Sequence, residues 1–170
     1  MGGHGDGYSS TLKTSFDTAA GPAVLHGPQA EPDEPPLRAP AVAALEALVV
    51  LAAADRIAVE LVVPATRDRD WPAPWPLPWG WFRVRGGGDV GVSGGGADGE
   101  TAAEEAARVA DAAHSEVVES LWAHKPTNWP PCPDHPTTHP LQLAAGDDAD
   151  PRPLWTCPLT GEVVGVLDVS

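Results

Sequence analysis

The chain has 170 residues, 24 of them acidic and 10 basic, for a formal charge of −14. That balance excludes nucleic-acid binding through a basic stripe, which needs clustered Lys and Arg to neutralise phosphates, and it disfavours an anionic membrane surface. Twenty prolines and eighteen glycines are nearly twice the share, roughly 12%, that these residues hold in average usage, so the chain offers one modest core with substantial unstructured additions.

Ala39 to Ala54 is apolar, but it is too short for a membrane span and carries Glu46. The first thirty residues show no charged start followed by an apolar run, so the expected compartment is the cytoplasm. Thiols stay reduced there, which favours metal ligation over a disulfide for the two cysteines.

Residues 1–36 hold Gly, Ser, Thr, Pro and acids with few large apolar side chains, and the expectation is a disordered acidic arm. Residues 37–85 read as a helix and two strands. Pro40 suits a first helical turn, and Ala41 to Ala54 follows with strong helix formers, apolar nearly all round and therefore buried. Ile57 to Val63 switches to β-branched residues and reads as a strand closed by Pro64; Trp81 to Arg85 reads as a second, with Phe82 and Val84 inward. Between them Trp71, Trp75 and Trp79 alternate with prolines, which forbids a helix. These tryptophans form either a face for a protein partner or a lid over a small core.

Residues 86–99 contain eight glycines without the Lys and spacing of a phosphate loop, and read as a flexible linker. Thr101 and Glu104 form a capping box, and residues 100–125 read as a long helix closed by Pro126. Its apolar stripe is Ala103, Ala106, Ala110, Val117 and Leu121, widened by Ala113, Val118 and Trp122. His114, beside the stripe and one turn after Asp111, reads as a solvated or hydrogen-bonded helix histidine rather than a general base.

Residues 126–170 carry the chemistry. Cys132, His135, His139 and Cys157 are each followed by proline, which holds each in extended, non-helical backbone. Their spacing, C-x2-H-x3-H-x17-C, supplies four N or S donors, the set that a structural zinc ion takes. Thr160 stands where a second thiolate of a Cys157 turn is expected. A disulfide, two unrelated buried thiols, or a metal-free relic of such a site are the competing readings. Asp147, Asp148 and Asp150 lack the ligand alternation of a calcium loop and read as a solvated hairpin tip.

CPDH and CPLTG resemble the knuckles of zinc-ribbon proteins, with one thiolate replaced by His135 and another lost. The run from Trp129 to Leu167 is similar to the C-terminal part of small uncharacterised actinobacterial proteins, and eight Arg to two Lys suit that origin. The resemblance implies a β-ribbon with strands at Leu141 to Ala144, Pro153 to Cys157 and Glu162 to Val169. It implies no activity.

The expected fold is α+β: two helices with a small antiparallel sheet, a C-terminal zinc-ribbon-like β module and a disordered N-terminal arm. The expected function is a non-enzymatic, zinc-stabilised module for a protein partner met through Trp71, Trp75, Trp79 or the ribbon. A zinc hydrolase, with Cys132, His135 and Cys157 as ligands and His139 as base, is the alternative.

Overall fold

The structure is a computed structural model that describes residues 23–26, 33–63 and 76–168. Its elements are β1 (Ala23–His26), α1 (Ala39–Ala54), β2 (Val59–Val63), β3 (Gly80–Val84), β4 (Asp89–Val92), α2 (Ala102–Trp122), β5 (Gln142–Ala144), β6 (Leu154–Thr156) and β7 (Val163–Val166). They make an α+β fold. One sheet has the order β1-β2-β3-β4, antiparallel except for β1, which runs parallel to β2; the other has the antiparallel order β5-β6-β7.

The helices form as their sequences dictate. Pro40 lies in the first turn of α1, where its missing N–H removes no helical hydrogen bond. At the other end, Arg56 N–H donates to Ala53 O at 3.0 Å and Ile57 N–H to Ala52 O at 2.9 Å, with Arg56 at φ 62 in the left-handed conformation of a helix stop. The Thr101 box starts α2: Thr101 N–H donates to Glu104 Oε2 at 2.8 Å and Glu104 N–H to Thr101 Oγ1 at 3.2 Å. The most extensive helix contact is between α1 and α2, where Ala106, Ala110 and Ala113 permit close approach to Ala41, Leu45 and Leu48. Val117 is buried at the thicker end of α2, but Trp122 is 54% exposed, so the apolar stripe stops before it.

The start of α1 is held from α2 rather than by a local cap. Glu105, 1% exposed, accepts the Arg38 N–H through Oε1 at 2.7 Å and meets Arg38 Nε through Oε2 at 3.1 Å. A carboxylate at a helix N-terminus satisfies an orphan donor and opposes the positive end of the dipole. Glu105→Ala should therefore cost about 3 kcal/mol in a urea-unfolding measurement, because it leaves a part-buried N–H unpaired.

Leu61, Phe82, Val84 and Val92 face the helices, and Val62, Leu77 and Trp81 form a smaller cluster of their own. Leu77 joins that cluster through a reciprocal contact: Leu77 N–H donates to Asp33 Oδ2 at 2.6 Å, and Asp33 N–H to Leu77 O at 3.0 Å. Trp79 is half-buried against the main core, with its N–H donating to Ser93 Oγ at 2.9 Å. This end of the Trp/Pro segment lies on the core as a lid. Trp71 and Trp75 lie outside the described residues, as does most of the arm over 1–36. Within that arm Ala23–His26 is a strand, in register with Glu60 to Val63.

The flexible linker over 86–99 is corrected. Asp89–Val92 is strand β4, paired with Gly80–Arg83, and the glycines serve geometry rather than mobility. Gly86, at φ 79, turns the hairpin, and Gly88 N–H donates to Ser120 Oγ on α2 at 3.2 Å. A Cβ on Gly94 would stand 2.3 Å from Pro36 O. Glycine count alone cannot separate a tether from a hairpin pressed onto its neighbours.

The three C-terminal strands fall where the ribbon pattern predicts them. Trp129, Cys132, Leu141, Trp155, Cys157 and Leu167 share one apolar cluster with α1, α2 and the first sheet. Among the described residues, no helix is long and apolar enough to cross a membrane.

Candidate metal centre

Two loops bring the four candidate ligands together. The first, from Trp129 to Leu141, closes through a Pro131–Pro140 bridge and a 2.9 Å hydrogen bond from Leu141 N–H to Pro130 O. Within it His135 N–H donates to Cys132 O at 3.2 Å, a turn that puts the Cys132 and His135 side chains on one side. The second loop follows β6. Gly161 N–H donates to Cys157 O at 2.8 Å and Cys157 N–H to Glu162 O at 2.9 Å, with Gly161 at φ 73 completing the turn.

One ligand atom each from Cys132, His135, His139 and Cys157 lies within 4.8 Å of the other three. His135 Nδ1 is 3.6 Å from Cys132 Sγ and 3.5 Å from Cys157 Sγ, and His139 Nε2 is 3.7 Å from Cys157 Sγ. A tetrahedral ion with sulfur at about 2.3 Å and nitrogen at about 2.05 Å requires a sulfur–nitrogen separation of roughly 3.6 Å. The group therefore has the donor set and the spacing to hold a metal ion. Both cysteines are buried and free, so the disulfide reading does not describe this structure.

The surroundings orient the donors. His139 Nδ1–H donates to Pro140 O at 2.8 Å, which turns Nε2 toward Cys157, the kind of outer hydrogen bond that fixes a ligand's tautomer. Burial pushes the Cys157 thiol up, but hydrogen bonds from the Thr160 and Leu159 amides, the Thr160 hydroxyl and Cys132 outweigh it and bring the pKa down to about 6. The favoured thiolate is the form that binds metals. Thr160 thus neighbours the site without being a ligand; its Oγ1 also lies 3.2 Å from Glu162 Oε2. Asp134 is exposed and no member of the cluster. At the other acidic stretch, Asp147 Oδ1 accepts the Ala149 and Asp150 N–H groups, each at 2.8 Å, while Asp150 pairs with Arg152 at 2.6 Å, as a hairpin tip does.

Two polar side chains support the site, and of these only His114 was named from the sequence. His114 Nε2–H, on α2, donates to Trp129 O at 2.8 Å, and its ring packs 5.8 Å from Trp129 and 5.3 Å from Trp155. Trp129 Nε1–H in turn donates to Asp55 Oδ2, at the end of α1, at 2.8 Å. The C-terminal module is thereby pinned to both helices within a few residues of Cys132 and Cys157. The sequence signal for His114 was its place beside the apolar stripe of α2; Asp55 offered none as a support of the site. No family model, no curated protein and no solved structure matches this chain.

Proposed function

We propose that residues 126–170 are a zinc-ribbon-like module with a structural zinc ion, and that the protein is a non-enzymatic platform for a protein partner. The observation that carries this reading is the compact group of two thiols and two imidazoles, with sulfur–nitrogen distances of 3.5 to 3.7 Å. Zinc fits a mixed thiolate and imidazole set better than the hard cations, which prefer oxygen. A structural rather than catalytic role is supported by His139, whose Nε2 faces Cys157 Sγ instead of standing apart as a base. No carboxylate belongs to the cluster among the described residues. Two free thiols suit a reducing compartment such as the cytoplasm. Kinship with zinc ribbons rests on the two knuckle turns and the three short strands beside them.

Elemental analysis of protein expressed in zinc-supplemented medium tests the reading. About one zinc per chain is expected, lost in Cys132→Ser, weakened about 100-fold in His139→Ala and retained in Thr160→Ala. A metal-free product would overturn it. A zinc-bound water titrating near neutrality, at about pH 7, would transfer support to the hydrolase with His139 as base.

A further inference from the structure

The ribbon sheet has β5 at one edge and β7 at the other. Its order is β5-β6-β7, and β5 lies against α2. Among the described residues, no strand pairs with the outer edge of β7. Leu167 N–H donates inward to Pro153 O at 2.8 Å, so by strand alternation the N–H and C=O of Val166 point outward. A register shift opposite Trp155 and Thr156 breaks the in–out pattern of β7 and leaves apolar side chains in solvent. Val163 is 57% and Val166 39% exposed, and Leu159, at the tip of the adjoining turn, is 63% exposed. Native sheets ordinarily guard such an edge with lysine, proline or a covering element.

Among the described residues no such guard pairs with β7, and the charge is one-sided. From Trp129 to Asp168 the ribbon carries six carboxylates against one basic residue, Arg152. That arginine is itself bound to Asp150 at 2.6 Å and Asp168 at 2.7 Å. Glu162 immediately precedes β7 and Asp168 follows two residues after it. Carboxylates at both ends of an apolar, hydrogen-bonding edge, on a module of one-sided charge, disfavour a second copy of this chain, which carries the same −14 charge.

The geometry points to β7 as the docking edge for an extended, basic peptide segment of a partner protein, added as a fourth strand to the ribbon. This rests on the reading of the ribbon as a metal-held binding module. Main-chain hydrogen bonds supply the affinity, alternate apolar side chains cover Val163 and Val166, and the flanking carboxylates select the charge.

The test uses the full-length, zinc-loaded protein with three capped synthetic peptides: alternating Lys–Val, alternating Glu–Val and alternating Lys–Pro. Only Lys–Val should bind by calorimetry, since Glu–Val has the wrong charge and Lys–Pro lacks the backbone donors. Val163→Lys together with Val166→Lys, both at exposed positions, should weaken that binding about ten-fold while zinc content stays at one per chain. Equal binding of Lys–Pro or Glu–Val, or unchanged binding by the double variant, overturns the proposal and leaves the metal reading standing. Dimers by sedimentation that the double variant abolishes would overturn it in favour of a second copy. Absence of zinc from the wild-type protein would instead fail the metal reading on which it rests.

Discussion

Stripping the proposed metal from the protein should loosen α2 together with the C-terminal sheet. Amide exchange with and without a chelator reads this out, with protection expected to fall in Val117–Trp122 as well as in Leu154–Val166. The ion would tie the loop holding Cys132, His135 and His139 to the turn holding Cys157; without it, the two are joined mainly by three short strands. Sheets this small are marginal alone. The loss should reach α2 because Trp129 and Trp155 pack on His114, and Trp129 also bonds Asp55 at the end of α1. Binding to the folded state alone stabilises it by about 4 kcal/mol at a thousand times Kd, so the shift should be large. Cys157→Ser should reproduce the chelated pattern without a chelator. If the ribbon loses protection while α2 keeps all of its own, the two are independent and this coupling is wrong.

His114→Ala should be strongly damaging, at about 3 kcal/mol in urea unfolding. It orphans the buried Trp129 carbonyl, worth about 1–3 kcal/mol, and removes two aromatic contacts. His114→Gln keeps a side-chain donor and should recover part of the loss. The pair also separates packing from protonation. Burial pushes the His114 pKa below its ordinary 6.5, against the Trp129 hydrogen bond and the Asp111 carboxylate, which raise it. Asp55, held by Trp129 Nε1, is the charge presented from α1, and the aromatic neighbours carry none. The folded chain thus resists a proton that the unfolded chain accepts. Stability from this source is full above about pH 6.5 and falls as pH drops below it. Protons also compete with a metal ion, so the comparison is wild type against His114→Gln, both chelated. A wild-type acid slope no steeper than that of the variant would rule out His114 as its source.

Much of the fold is legible locally. Pro40, the Thr101–Glu104 box and the β-branched run before Pro64 mark helix and strand boundaries because capping and backbone restriction act over a few residues. The four candidate ligands were legible for the same reason: Pro-restricted Cys and His at turn spacing can present side chains to one point. That the Cys157 turn closes on the Cys132 loop was an expectation carried by donor count, and the structure brings all four atoms within 4.8 Å.

Other features depend on contacts across the chain. The glycines of 86–99 form a hairpin because Ser120 and Pro36 press against them, and composition is blind to those neighbours. Trp122 was expected to widen the apolar stripe of α2, yet it is exposed with its Nε1–H on Thr127 O at 2.6 Å, and His114 meets Trp129 and Trp155 instead. Nothing along the chain near Glu105 marks it for burial; its partner, Arg38, comes from the start of α1. The sequence by itself determined which segments become helices, strands and ligand turns, since those preferences are set by neighbours along the chain. Only the tertiary structure decided which polar groups are buried, because a buried carboxylate or imidazole is stable only where a distant residue supplies its partner.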